Sequence, residues 1–336
     1  MGSTPYAPAG VEIGAHHDAW MGASAKPRAA AAARDHDHDT LWSLVAAMLA
    51  EGDRVSPHTV KAYRAGVLRY LAWAKASGVA LLRPERGAGT RYRLDLMRAY
   101  SNPGTVNTRL SGARALYRAL VWVGLEHADP FAQVRGVRDG RAPEAVRPAY
   151  SHREVAALLG AATDPHDRAA ILLGADAGLR AAEMLALDWS HVTLPERDAS
   201  GAWSDTGAML VHGKGRTERV VPIGDELADA LDALPARSGP VLAHVRSGSG
   251  LRYRVACLAV RAGLIESARP PKGSPRRDVM LGLHRLRHRF GTDVVREHGI
   301  AVGQAALRHA NPQTTARYAK EREHQVASFV RTLRRV

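Results

Sequence analysis

Apolar residues recur at helical spacing from Asp39 onward. Leu41, Leu44, Val45 and Met48 fall on one face, the pattern of an amphipathic helix. Ser56-Pro57 reads as an N-cap followed by proline at the first helical position. The segment after it places Val60, Tyr63, Val67, Tyr70, Leu71 and Ala74 on one side, and Gly78 stops it. A shorter helix is expected over Leu94 to Tyr100. Thr105 opens a long one, with Val106, Leu110, Ala113, Leu116, Leu120 and Val123 at helical spacing. No strand pattern interrupts this half, which reads as a small domain of four helices. Before Asp39 no period is sustained. Residues 1–38 are rich in Ala, Gly, Pro and His and are expected to form a disordered tail. Asp35-His36-Asp37-His38 carries metal-ligand side chains, but the pattern around it reads as a solvated tract.

Periodicity vanishes again over 135–149, where Gly, Pro and Arg dominate, so a linker is expected there. Ser151-His152-Arg153-Glu154 is a capping box that opens a second domain. Helices are expected at 151–160, 166–177 and 180–188. Met209-Leu210-Val211-His212 and Glu218-Arg219-Val220-Val221-Pro222-Ile223 then flank Gly213-Lys214-Gly215-Arg216, a β-hairpin signal. Helices resume at about 225–234, 250–262, 284–297, 302–309 and 312–318, the last started by Asn311-Pro312. Val326, Phe329, Val330 and Leu333 form a terminal stripe. The expected organisation is a tail (1–38), a helical domain (39–134), a linker (135–149) and a second domain (150–336). The fold class is mainly α with a small β-hairpin or sheet.

Charge changes the picture more than hydropathy does. Lys and Arg total 47 against 33 Asp and Glu, a formal net charge of +14, which points to a polyanionic partner. Nucleic acid fits better than a membrane, because no apolar run is long enough to span and no basic amphipathic anchor stands out. Cys257 is the single cysteine, which excludes an internal disulfide and a thiolate metal cluster and fits a reducing, cytoplasmic setting. The N-terminus lacks the basic-then-apolar pattern of a signal peptide.

Six side chains then suggest chemistry on a phosphodiester. A guanidinium can bind two non-bridging phosphate oxygens with parallel charge-assisted hydrogen bonds. Arg180 follows Gly178 and can sit at a helix start facing a cleft; Arg287 lies one turn after His284 on the same helix face. Lys214 sits at the hairpin tip, where an ammonium can protonate a leaving alkoxide. Tyr318 carries a phenol, a poor nucleophile at its ordinary pKa of about 10. Nearby arginines favour the phenolate and a His can accept its proton. His284 and His288, one turn apart, offer a rival reading as metal ligands. Against it, Arg285, Arg287 and Arg289 surround them with positive charge.

Taken in order, these residues resemble the tyrosine recombinase (phage integrase) family. Ala177-Gly178-Leu179-Arg180-Ala181-Ala182-Glu183 resembles its first arginine motif, and Gly213-Lys214-Gly215-Arg216 its hairpin lysine motif. His284-Arg285-Leu286-Arg287-His288-Arg289-Phe290-Gly291-Thr292 resembles the His-x-x-Arg box. Leu307-Arg308-His309 and then Tyr318 resemble the final histidine and nucleophile. Thr59 to Trp73 and Thr105 to Gly124 resemble the core-binding helices of the same family. Two features depart from its pattern: Arg308 stands where the family has glycine, and Leu194 to Ala208 looks like an extra loop.

The resemblance implies a SAM-like helical core-binding domain and a mixed α/β catalytic domain with a C-terminal helix. It implies Arg180, Lys214, His284, Arg287, His309 and Tyr318 as catalytic residues, with no cofactor and no metal. It further implies double-stranded DNA as partner and a homo- or hetero-tetramer on paired sites, in the cytoplasm with the nucleoid. Chromosome partition and phage or mobile-element integration both stay open; no extra arm-binding domain stands out before residue 39, which leans toward the simpler Xer-like arrangement. The terminal stripe can pack on its own domain or dock on a neighbouring protomer, and docking is the favoured expectation. Three readings stay open beside recombination: a type IB topoisomerase-like relaxing enzyme, a non-catalytic DNA-binding module, and a metallohydrolase built on His284 and His288.

Overall fold

A computed structural model describes residues 16–51, 55–126, 129–140, 148–213, 218–269 and 282–307. The chain divides into two compact units, residues 1–140 and 141–336.

Five named helices build the first unit: α1 (Ala25–Asp35), α2 (His38–Glu51), α3 (Pro57–Ala76), α4 (Ala88–Ala99) and α5 (Pro103–Trp122). The expectation of a disordered tail is therefore corrected for residues 16–38. Helix α1 buries Ala25, Ala29, Ala32 and Ala33, a face made only of the best helix former. Trp20 is buried with it and donates its indole N–H to Ser43 at 3.1 Å. The Asp-His-Asp-His tract is a helix joint. His36 closes α1 in the left-handed conformation, and the Asp37 carboxylate accepts from the Asp39 and Thr40 backbones and from the Thr40 hydroxyl. Residues 1–15 lie outside the described residues. With α1 included, the described residues of the first unit form one named helix more than the four expected.

Helix α3 starts as expected, with the Ser56 hydroxyl accepting from Thr59 N at 3.2 Å and Pro57 in the first turn. It crosses α5 at two glycines. A Cβ on Gly112 would lie 2.6 Å from Gly66 Cα, so the two backbones meet where neither residue has a side chain. Below this crossing Tyr70 packs against Tyr92, Tyr117 and Phe131, and its hydroxyl is 2.8 Å from that of Tyr117. Helix α4 begins earlier than Leu94, at Ala88 after Gly87. Its first turn meets the core through Ala88, Gly89 and Tyr92. Gly89 lies so close to Pro130 that a Cβ would sit 2.0 Å from the Pro130 carbonyl oxygen.

The second unit opens on the expected capping box. Ser151 Oγ accepts from Glu154 N at 3.2 Å, and Ser151 N donates to the Glu154 carboxylate at 2.7 Å. Helices α6 (His152–Ala161), α7 (Pro165–Ala175) and α8 (Ala181–Ala186) follow, then a 3-10 turn at Trp189–His191. Strands β1 (Val192–Thr193), β2 (Gly207–His212) and β3 (Glu218–Ile223) form one antiparallel sheet in that order. His212 pairs with Glu218 as the innermost pair of the hairpin, and residues 214–217, with Lys214, lie outside the described residues.

Helices α9 (Asp225–Asp232), α10 (Gly248–Arg261) and α11 (Leu283–Leu307) complete the described part. Helix α11 breaks at Gly299 (φ 90°), which separates the two helices expected there. Helix α7 is the core of the unit. Its run from Ala169 to Ala175 is buried and packs against α9 and α11. The loop between β1 and β2 is tied down: Arg197 lies 3.7 Å over the Trp203 ring and pairs with Asp229 at 2.9 Å. The expected helix at 312–318 and the terminal stripe lie outside the described residues.

Candidate active site

Gly178 begins the site. It takes φ +60°, the left-handed conformation that turns the chain out of α7. Leu179 is then buried, and Arg180 becomes the extended N-cap residue of α8. Glu183, one turn into α8, is 5% exposed and is held between two arginines. One carboxylate oxygen accepts from Arg180 Nη1 at 2.6 Å and the other from Arg180 N at 2.8 Å. Arg287 Nη1 lies 3.9 Å from the same carboxylate. The carboxylate thus closes the start of α8 and sets the spacing of both guanidiniums. The salt bridge between Glu183 and Arg180 is what orients the Arg180 side chain.

Arg287 is 1% exposed and donates to the backbone carbonyls of Gly178 and Leu307. It therefore staples the turn before Arg180 to the end of α11, where residues 308 and 309 follow. The other arginines of the His-Arg-Leu-Arg-His-Arg run have structural partners. Arg285 donates to the Pro148 carbonyl at 2.6 Å and stacks on Tyr150, while Arg289 pairs with Asp293. A period of one helical turn separates Arg287 from His284, and both serve the same region.

A cleft of about 270 Å³ lies beside this pair, lined by Leu179, Arg180, Ala181, Ala182, Arg252, Leu283 and His284. Two cations share one carboxylate, so the site keeps excess positive charge, and Leu179, Ala181, Ala182 and Leu283 make the rest of the wall apolar. That combination suits a phosphodiester, because charge acts strongly beside low-dielectric walls. His284 and His288 pack edge to face, with ring centroids 4.6 Å apart. Among the described residues no group of three or more His, Cys, Asp or Glu side chains has metal-binding geometry.

Of the six candidate residues, Arg180, His284 and Arg287 are described and come together. Lys214, His309 and Tyr318 lie outside the described residues, as does Arg308. Sequence reasoning missed Arg252. Nothing in the pattern of α10 separates it from Arg254, which the structure shows clamped by Asp164 and Asp167.

Residues 150–325 match the phage integrase family, and residues 46–124 match the phage integrase N-terminal SAM-like domain. Tyrosine recombinase XerC of Xylella fastidiosa (strain 9a5c) is 30% identical over 287 residues, 79% of this chain and 86% of that protein. Two solved structures share the fold. One is XerH site-specific recombinase bound to palindromic difH substrate, a post-cleavage complex (TM-score 0.62, 15% identity, 88% of this chain and 84% of that one). The other is a lambda integrase tetramer bound to a Holliday junction (TM-score 0.58, 14% identity, 82% of this chain and 76% of that one). The two matches take in both the helical unit and the arginine-lined cleft, and the chain belongs to the phage integrase family of tyrosine recombinases.

Proposed function

We propose that this tyrosine recombinase cuts duplex DNA with Tyr318 as nucleophile. The phenol oxygen attacks a scissile phosphate, forming a 3′-phosphotyrosyl bond and releasing a 5′-hydroxyl. Arg180 and Arg287 bind the non-bridging oxygens as charge builds on them. Preorganised donors of this kind are worth roughly 3–4 kcal/mol each. Lys214 gives its proton to the leaving 5′ oxygen, His284 takes the proton of Tyr318, and His309 donates to a non-bridging oxygen. The adduct keeps the energy of the broken bond, so neither ATP nor a cofactor takes part. A 5′-hydroxyl from a partner strand then attacks the adduct, which exchanges strands through a Holliday junction.

One observation carries this reading: Arg180 and His284 line one cleft, and the Glu183 carboxylate that pairs with Arg180 lies 3.9 Å from the buried Arg287 behind it. The division of labour follows the sequence, with residues 39–134 gripping DNA and 150–336 carrying the chemistry. Four protomers on two paired DNA sites, in the cytoplasm and with the nucleoid, complete the proposal. Among the described residues no helix is long and apolar enough to cross a membrane.

Recombination is separated from mere relaxation by a plasmid carrying two copies of a target site. Sites are first recovered by sequencing duplexes that stay covalently bound from a randomised, nicked pool. The expected product is two circles or an inverted segment, with parental flanks exchanged. Relaxed plasmid with unexchanged flanks would instead assign a topoisomerase-like activity.

A further inference from the structure

Helix α10 carries two arginines with opposite fates. Ser247 caps the helix by accepting from Gly250 N at 3.1 Å, and Leu251, Val255, Leu258 and Ala259 bury its inner face. Arg254 is consumed by that fold. Its Nε donates to Asp167 at 2.7 Å and its Nη2 to Asp164 at 2.7 Å. Arg252, by contrast, is exposed, lines the cleft with Arg180 and His284, and pairs with no carboxylate among the described residues. Its guanidinium lies back over the first turn of its own helix, where a Cβ on Gly248 would be 3.5 Å from Nη1. A cation there faces the positive end of the helix dipole, which is unfavourable without an anion nearby. Arg180 adds charge to the same cleft, because Glu183 is shared between Arg180 and Arg287. An unpaired guanidinium, a helix start and a shared-carboxylate arginine around one cleft form a second anion position next to the first.

We infer that Arg252 binds a DNA phosphate immediately flanking the scissile one, and so fixes the register of the cleaved strand in the cleft. The inference rests on the phosphodiester reading of this cleft. In this role Arg252 touches substrate but takes no part in proton transfer. It sets which phosphate reaches Arg180 and Arg287.

Two measurements test it. The first is affinity for a random-sequence 40-base-pair duplex between 50 and 200 mM salt, which requires no cleavage. Losing one phosphate contact lowers the salt slope by about 0.9, so wild type loses roughly 3.5-fold more affinity than Arg252→Ala over that range. Arg252→Lys keeps the slope, because the cation remains. An unchanged slope in Arg252→Ala overturns the inference. The second uses a site recovered as above, with single phosphates replaced by neutral methylphosphonates. Wild type loses affinity when a phosphate flanking the cleaved one is neutral, whereas Arg252→Ala is indifferent at that position. Equal losses in both proteins at every flanking position overturn the placement. If no Tyr318 adduct forms at all, the recombinase reading fails while the salt slope still reports on Arg252. An adduct with an unchanged slope removes only the role of Arg252.

Discussion

Arg287→Ala is expected to abolish measurable strand cleavage and to loosen the catalytic unit at the same time. Its side chain is 1% exposed and serves two ends of the site, the Gly178 carbonyl and the Leu307 carbonyl. Truncation leaves two backbone acceptors without their donor and removes a buried cation from beside Glu183, a loss of about 3 kcal/mol. It also removes the proposed phosphate donor, and losing such a donor by itself slows cleavage about 10²–10³-fold. Arg180→Ala separates the two effects. Its side chain is 42% exposed but pairs with the buried Glu183 carboxylate at 2.6 Å, so cleavage falls by a similar factor while stability falls less than in Arg287→Ala, whose two backbone acceptors also lose their donor. Arg287→Lys restores charge without the planar fork and recovers part of the stability but not the rate. Single-turnover cleavage and urea unfolding on the same preparations check this. An Arg287→Ala protein that cleaves at the wild-type rate would remove Arg287 from the mechanism.

Gly178→Ala is the second large effect, and it touches neither guanidinium directly. A Cβ at φ +60° is strained by roughly 1–2 kcal/mol. The same Cβ would lie 2.4 Å from Phe290 Cδ1, and such overpacking costs about 1–3 kcal/mol more. The turn must shift, and with it the Gly178 carbonyl that holds Arg287 and the start of α8 that presents Arg180. A displacement near 1 Å at a positioned group costs about 10²-fold in rate. Calorimetry is expected to show a lower Tm, and cleavage to fall by that order. Adding Phe290→Ala relieves the contact but not the backbone strain, so the double variant loses less stability than the sum of the two single losses. A single variant with wild-type Tm and rate would show that the turn has no such role.

What could be read from the sequence, and what could not, has one physical cause. Helices α3 and α5 announce themselves because large side chains such as Val67, Tyr70, Leu110 and Leu116 mark the buried face. Helix α1 and the first turn of α4 bury alanine and glycine, which give a periodicity plot almost no contrast. Their burial follows from close backbone approach, a property of the partner surface and not of the segment itself. The site shows the same division. Arg180 and Arg287 were visible through their ordered motifs, and the structure brings them together on one carboxylate. The dual role of Glu183 shows only in the fold, since a capping acid and a site-orienting acid look alike in sequence. Likewise, Arg252 and Arg254 differ only in whether Asp164 and Asp167 face them across the fold.

The central claim is that one oxygen, the phenol of Tyr318, becomes covalently joined to a DNA 3′ phosphate. The most direct measurement uses a duplex with a nick beside the cleavage position, so that the released fragment diffuses away and the adduct accumulates. After denaturation in detergent, wild type is expected to run as a protein–DNA conjugate, with the modified peptide mapping to Tyr318. Tyr318→Phe is expected to bind the same duplex and form no conjugate. A conjugate that persists in Tyr318→Phe would contradict the account.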